Sequence, residues 1–163
     1  MKRLAIAFTG PSNSGKTTLI EKISLALQNK LKIAIIKHDP KDKAIFDKEG
    51  KDSDKFFKSG ADVAVVSPTR TTLFKHKNSD LEELIDYFND FDLLMVEGLK
   101  SWDLPRIGIF RGKIEKDYLP YLQAIAIDET IAKEELEELR VTVLDLNNIE
   151  QIIDYILRHA KVV

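Results

Sequence analysis

The stretch Gly10-Pro-Ser-Asn-Ser-Gly-Lys-Thr17 constrains the fold more than any other part of the chain. It fits G-x-x-x-x-G-K-[ST], a pattern that carries meaning only between a strand and a helix. Leu4-Ala-Ile-Ala-Phe8 supplies an apolar run that reads as a buried strand. After the loop, Leu19, Ile20, Ile23, Ala26 and Leu27 recur at helical spacing. In such a loop the backbone N–H groups, with the unpaired N–H groups of the first helical turn, converge on an anion where the helix dipole also favours negative charge. Gly10 and Gly15 let the backbone turn tightly around phosphates without a β-carbon in the way. Lys16 is then placed to reach the β- and γ-phosphates, and the Thr17 hydroxyl to ligate Mg²⁺. The expectation is a nucleotide-phosphate site built from Gly10, Pro11, Ser12, Asn13, Ser14, Gly15, Lys16, Thr17 and Thr18.

A chain of 163 residues, 44% hydrophobic and 32% charged, is long enough for one domain with its own core. A single nucleotide-binding domain over 1–163 is expected. The net charge of −2 supplies no basic field for nucleic acid or an acidic membrane. With no cysteine, disulfides, thiolate metal sites and thiol catalysis are excluded. No apolar run approaches the roughly 20 residues of a membrane span, and Met1-Lys-Arg leads straight into the first strand. The expected location is therefore the cytoplasm.

Apolar runs alternate with helical segments, which points to a P-loop NTPase-type α/β fold, a three-layer αβα sandwich with a mostly parallel sheet. Further strands are expected at Lys32–Ile36, Asp62–Val66, Thr71–Phe74, Asp92–Val96, Arg106–Phe110, Gln123–Ile127 and Val141–Leu144. Helices are expected from Asp52 or Ser53 to about Ser59, from Ser79 through Phe88, and after Asn147 or Asn148. The last should bury Ile149, Ile152, Ile153, Ile156 and Leu157. Lys37 to Lys51 is polar and irregular, too long for an ordinary connection. The Glu134–Glu138 run reads as a solvated helix face.

Ligands of open α/β sheets bind at the carboxyl ends of strands. Asp92 starts its strand, about 16 Å from that end at strand rise, whereas Glu97 stands at the end itself. Glu97 is therefore the acidic group expected beside Mg²⁺, touching it directly or through water, or positioning an attacking water. Lys37, His38 and Asp39 leave the second strand at the same edge; Asp39 suits the metal's water shell and His38 a phosphate or a water, or both are plain loop residues. Asp128, ending another strand, has the chemistry to read a guanine edge, and is equally consistent with a helix N-terminal residue. The Asn-Lys-x-Asp guanine signature is missing. Trp102 reads as a loop anchor.

Behind the phosphate loop stand Ile36-Lys-His38, Asp47-Lys-Glu-Gly-Lys-Asp-Ser53, Ser59-Gly-Ala61, Asp92-Leu-Leu-Met-Val-Glu-Gly-Leu-Lys100 and Pro105-Arg-Ile107. In this order and spacing they resemble, nearly end to end, the MobB family of molybdopterin-guanine dinucleotide biosynthesis accessory proteins. The resemblance implies a homodimer that binds GTP with Mg²⁺, hydrolyses it weakly, and assists the partner enzyme joining GMP to molybdopterin. It also implies that the segment from His38 to Ser53, with Lys51 and Ser53, forms part of a site for a molybdopterin-type ligand or the partner; from composition alone that segment is a solvated loop. The chain departs from the family where Asp39-Pro-Lys replaces further histidines, and where Ile127 precedes Asp128 in place of a small polar residue.

Two other functions compete. A small-molecule kinase on the same fold would need a mobile lid carrying arginines, and the six arginines here are unclustered in sequence. A metal-delivery GTPase would need cysteines or clustered histidines, which are missing. The adaptor reading is preferred.

Overall fold

The computed structural model describes residues 2–137 and 139–163; Met1 and Glu138, the last residue of the acidic run, lie outside the described residues. In chain order the elements are β1 (Leu4–Thr9), α1 (Lys16–Leu27), β2 (Ile33–Lys37), α2 (Asp52–Lys58), β3 (Val63–Val66), β4 (Thr71–Phe74) and α3 (Leu81–Phe88). They continue as β5 (Leu93–Glu97), β6 (Arg106–Phe110), β7 (Ala124–Ile127), β8 (Thr142–Asp145), α4 (Ile149–His159) and β9 (Lys161–Val162), with short 3-10 turns at Lys116–Tyr121 and Lys133–Glu135. The chain divides into two compact units, Met1–His38 with Phe88–Val163, and Asp39–Tyr87.

The first unit is a seven-stranded, mostly parallel sheet in the order β2-β5-β1-β6-β7-β8, with β9 pairing β1 antiparallel. Parallel strands buried on both faces need near-continuous apolar sequence, and β1, β5, β6 and β7 supply it. Period two divides their side chains. Ile6, Phe8, Ile107, Ile109, Ala124 and Ala126 join Leu19, Ile20 and Ile23 of α1 and Ile152, Tyr155 and Ile156 of α4 in one core. Phe110, Ile125 and Ile127 face the other way, against Ile114, Leu122 and Ile131. The parallel strands all end on one edge, so Thr9, Lys37, Glu97, Phe110, Ile127 and Asp145 are delivered to one rim.

In the second unit β3 and β4 form an antiparallel ribbon, Val63 opposite Phe74 and Val66 opposite Thr71. Phe57 of α2 stacks on His76 at 3.8 Å between ring centres, and the His76 amide donates to Asp62 Oδ1.

The expected strands and helices are present with shifted ends. β2 is an edge strand with Ile35 exposed. Asp80, not Ser79, caps α3, its Oδ1 accepting the Glu83 amide at 2.9 Å. Asn148 caps α4 through the Gln151 amide. On α4, Tyr155 takes the buried place expected of Leu157, which is 44% exposed. The acidic run does not form a solvated α-helix face: Lys133–Glu135 is a 3-10 turn, and Glu135 Oε2 accepts the Ile114 amide at 2.8 Å. β9, two residues long, carries too little periodicity to read in sequence.

Candidate functional site

The loop from Gly10 to Gly15 leaves β1 and turns into α1 as expected. Gly10 (φ 143°), Asn13 (φ 63°) and Gly15 (φ 99°) have positive φ, the kind of backbone that turns successive N–H groups toward an anion. A β-carbon on Gly10 would lie 2.3 Å from the Ile109 carbonyl oxygen, so only glycine fits where the loop passes β6. The Ser14 hydroxyl is buried with no hydrogen-bond partner among the described residues. Such a group costs about 1–3 kcal/mol, a cost tolerated where a loop's shape serves something else.

Lys16 folds over this loop. Its Nζ donates to the carbonyls of Gly10 (3.0 Å) and Pro11 (2.6 Å). Burial pushes its pKa down, the Glu97 carboxylate acts to raise it, and Lys37 lowers it. Thr17 Oγ1 donates to Glu97 Oε2 at 3.5 Å, and Lys37 Nζ stands 3.5 Å from the same oxygen. Glu97 is 15% exposed. These contacts gather Lys16, Thr17, Lys37 and Glu97 around a polar cleft of about 480 Å³, also lined by Ser12, Asn13, Gly15 and Thr18. A hydroxyl and a carboxylate in contact at a strand end form an oxygen donor pair suited to Mg²⁺, and a lysine with backbone donors suits phosphate; both groups fit the residues present. Among the described residues no cluster of three or more His, Asp or Glu could hold a metal by itself, so phosphate oxygens and water would have to complete the shell.

The expected site residues are distributed as follows. Asp92 lies at the far end of β5, its carboxylate accepting the Lys32 amide. A cleft of about 540 Å³ there is lined by Arg3, Lys32, Asn89, Asp90, Phe91 and Asp92; Lys32 pairs with Asp90, and Arg3 lies over the Phe91 ring. His38 packs against Gly98, whose missing β-carbon would sit 3.0 Å from His38 Cβ. Asp39 begins the second unit and accepts the amides of Lys43 (2.7 Å) and Ala44 (2.6 Å), shaping its own loop. Lys51 and Ser53, at the start of α2, line a cleft of about 530 Å³ with Asp47, Phe56 and Val63 to Val66. Asp128 Oδ1 accepts from the Thr130 amide and hydroxyl, and its Oδ2 is 3.5 Å from Arg111 Nε. The Thr130 hydroxyl and amide contribute to holding the Asp128 carboxyl below the usual carboxylate range.

Two residues escaped the sequence reading. Arg106, 2% exposed, donates to the carbonyls of Gly98 (2.6 Å), Leu99 (2.9 Å) and Trp102 (3.2 Å). It holds the loop that follows Glu97, where Gly98 and Leu99 have positive φ. Trp102, half-buried, takes part in that loop through its backbone, its amide donating to the Leu99 carbonyl and its own carbonyl accepting from Arg106. The second is Arg111, whose guanidinium lies 3.5–3.9 Å from where a β-carbon on Gly15 would be. The signal for both was a charged residue inside or just after an apolar strand, which periodicity treats as noise.

The family model described as molybdopterin guanine dinucleotide synthesis protein B, MobB, matches residues 5–130. The molybdopterin-guanine dinucleotide biosynthesis adapter protein of Haemophilus influenzae is 34% identical over 161 residues, 93% of this chain and 86% of the relative. The protein of the same description from Escherichia coli is 31% identical over 163 residues, covering 93% and 90%. The crystal structure of Bacillus subtilis MobB superposes with a TM-score of 0.74 at 27% identity, covering 97% of this chain and 98% of that one. The family-model match over most of the chain, with relatives above 30% identity across nearly their whole length, makes this chain a member of the MobB family.

Proposed function

We propose that this protein is a Mg·GTP-binding adaptor, acting as a homodimer in the cytoplasm, that assists the enzyme attaching a guanine nucleotide to molybdopterin. The observation that carries the reading is the convergence of Lys16, Thr17 and Glu97 on the phosphate loop in a chain of this family. Gly10 to Thr18 would cradle the phosphates. Lys16, here bound to two loop carbonyls, would exchange them for β- and γ-phosphate oxygens. Thr17 and Glu97 would hold Mg²⁺, which when bound neutralises phosphate charge; Lys37 keeps the Glu97 carboxylate oriented. Asp39 and His38 are secondary candidates, for the metal's water shell and a phosphate respectively. Among the described contacts no glutamine or arginine touches the Glu97 carboxylate, so intrinsic hydrolysis is expected near 10⁻⁴–10⁻³ per second, the range of an unassisted GTPase.

The cleft of Lys51 and Ser53 is the candidate second site. Lys51 offers an ammonium and Ser53 a hydroxyl to an anionic group, and the Val63 to Val66 strand offers an apolar wall for a ring system. The test is reconstituted guanine dinucleotide cofactor formation with purified partner enzyme. The wild-type chain is expected to stimulate it, and the Lys51→Ala/Ser53→Ala double variant to lose most of the stimulation while GTP binding stays near normal. Full stimulation by the double variant would remove this loop from the site.

The small-molecule kinase reading gains one observation, the arginine at Gly15. A single half-exposed arginine falls short of the closing lid such enzymes need, and the adaptor reading stands ahead of it.

A further inference from the structure

We propose that Arg111 is a further ligand of the bound nucleotide, gripping its nucleoside-proximal phosphate, and that Asp128 is the positioning residue that aims it. The inference rests on the reading that a nucleotide occupies the phosphate loop.

Arg111 follows the last residue of β6, the strand next to β1, and Gly112 (φ 74°) bends the chain immediately after it. A closed ring of contacts fixes the turn. The Gly112 amide donates to Thr130 Oγ1 at 2.7 Å, Thr130 donates to Asp128 Oδ1, and Asp128 Oδ2 faces Arg111 Nε at 3.5 Å. The carboxylate is 7% exposed and the arginine 51%. The buried partner is the fixed one and the exposed partner the one free to take a ligand. Nε and Nη2 stand 3.5 and 3.6 Å from the point where Gly15 lacks a β-carbon, so the guanidinium fills the space that glycine leaves beside the phosphate loop. Among the described residues its terminal nitrogens make no hydrogen bond. An arginine fork so held matches two phosphate oxygens at once.

The strand order supplies the direction. β5 and β6 flank β1 on opposite sides, so Glu97 with Thr17 marks one side of the loop and Arg111 the other. If the metal and the γ-phosphate lie toward Glu97, the nucleoside leaves toward β6 and β7, and Arg111 meets it at the first phosphate. Successive strands are about 4.8 Å apart, so the turn after β7 lies about two spacings from the loop, within reach of a base. Asp128, with one oxygen bound by Thr130 and the other facing Arg111, orients this arginine and does not read the base.

The test is calorimetric titration of the full chain with GTP, GDP, ATP and xanthosine triphosphate. Wild-type binding of GTP reports on the nucleotide reading; the variants report on this inference. Arg111→Ala is expected to lose about tenfold for GTP and GDP alike, and Arg111→Lys to recover part of it. Asp128→Asn should weaken GTP and ATP by one common factor, gain nothing for xanthosine triphosphate, and add no further loss to Arg111→Ala. Unchanged affinity in a folded Arg111→Ala or Arg111→Gln variant would overturn the proposal. So would a loss confined to GTP, or a switch of Asp128→Asn toward xanthosine triphosphate, which would return Asp128 to the base.

Discussion

Glu97 meets a hydroxyl, an ammonium and a strand end at once, and its role turns on which of them it serves. As a metal ligand, it should matter only when metal is present. Glu97→Gln keeps the size and one acceptor oxygen but loses the charge, so Mg²⁺-dependent GTP binding should weaken while binding in excess chelator stays nearly intact. Equal losses in both titrations would make Glu97 a structural partner of Thr17 and Lys37. Much at this scale was legible beforehand. The G-x-x-x-x-G-K-T pattern names its own residues because the geometry is local, and Glu97 was separable from Asp92 by counting strand rise alone. Asp128 was not. Its carboxylate has the chemistry to read a base, but Thr130 and Arg111 engage it through contacts that are set by the fold, where sequence order is silent.

The elements show where local pattern suffices and where tertiary contact decides. β1, β6 and β7 follow from apolar runs, and α1 from its helical spacing. Arg106 does not, since a charged residue opening a buried strand reads as a boundary. Its fork instead satisfies three carbonyls of the Gly98 to Trp102 loop. Arg106→Met should leave them without donors and cost about 3 kcal/mol or more, measured by urea unfolding, with Mg²⁺-dependent GTP binding reduced as the loop after Glu97 loosens. A stability change below about 0.5 kcal/mol would mean water replaces the guanidinium at no cost. In the second unit, Lys75 Nζ donates to Glu83 Oε1 and to the Tyr87 hydroxyl. Chiefly through the Lys75 bond, the Glu83 pKa falls from 4.5 to about 2, and that of Lys75 rises above its ordinary value. A carboxyl group whose pKa folding lowers stabilises the fold above its unfolded value and loses that contribution as protons bind. Amide protection of β4 and α3 should therefore decline as pH falls from about 4.5 toward 2. Glu83→Gln should abolish that step; a decline unaltered in the variant would assign it to another group. For Lys75 the sign reverses, with its contribution present below 10.5 and fading as pH rises beyond.

At the scale of the whole molecule, the sheet order brings the ends of β1, β2, β5, β6 and β7 to one rim, and the residues argued to bind a nucleotide leave from those ends. The alternation of strands and helices made the parallel sheet legible. It did not disclose the division into two units at Asp39 and Tyr87, because the polar stretch from Lys37 to Lys51 reads equally well as a loop within one domain. Every role proposed for this rim depends on the phosphate loop holding a nucleotide through Lys16. Calorimetric titration of GTP, with Mg²⁺, into the wild-type chain and into Lys16→Ala tests this most directly. Charge-assisted hydrogen bonds are worth about 1.5–3 kcal/mol each, so the wild-type chain is expected to bind and the folded variant to bind at least tenfold more weakly. Equal affinity in the two, or no binding of GTP by the wild-type chain, would contradict it.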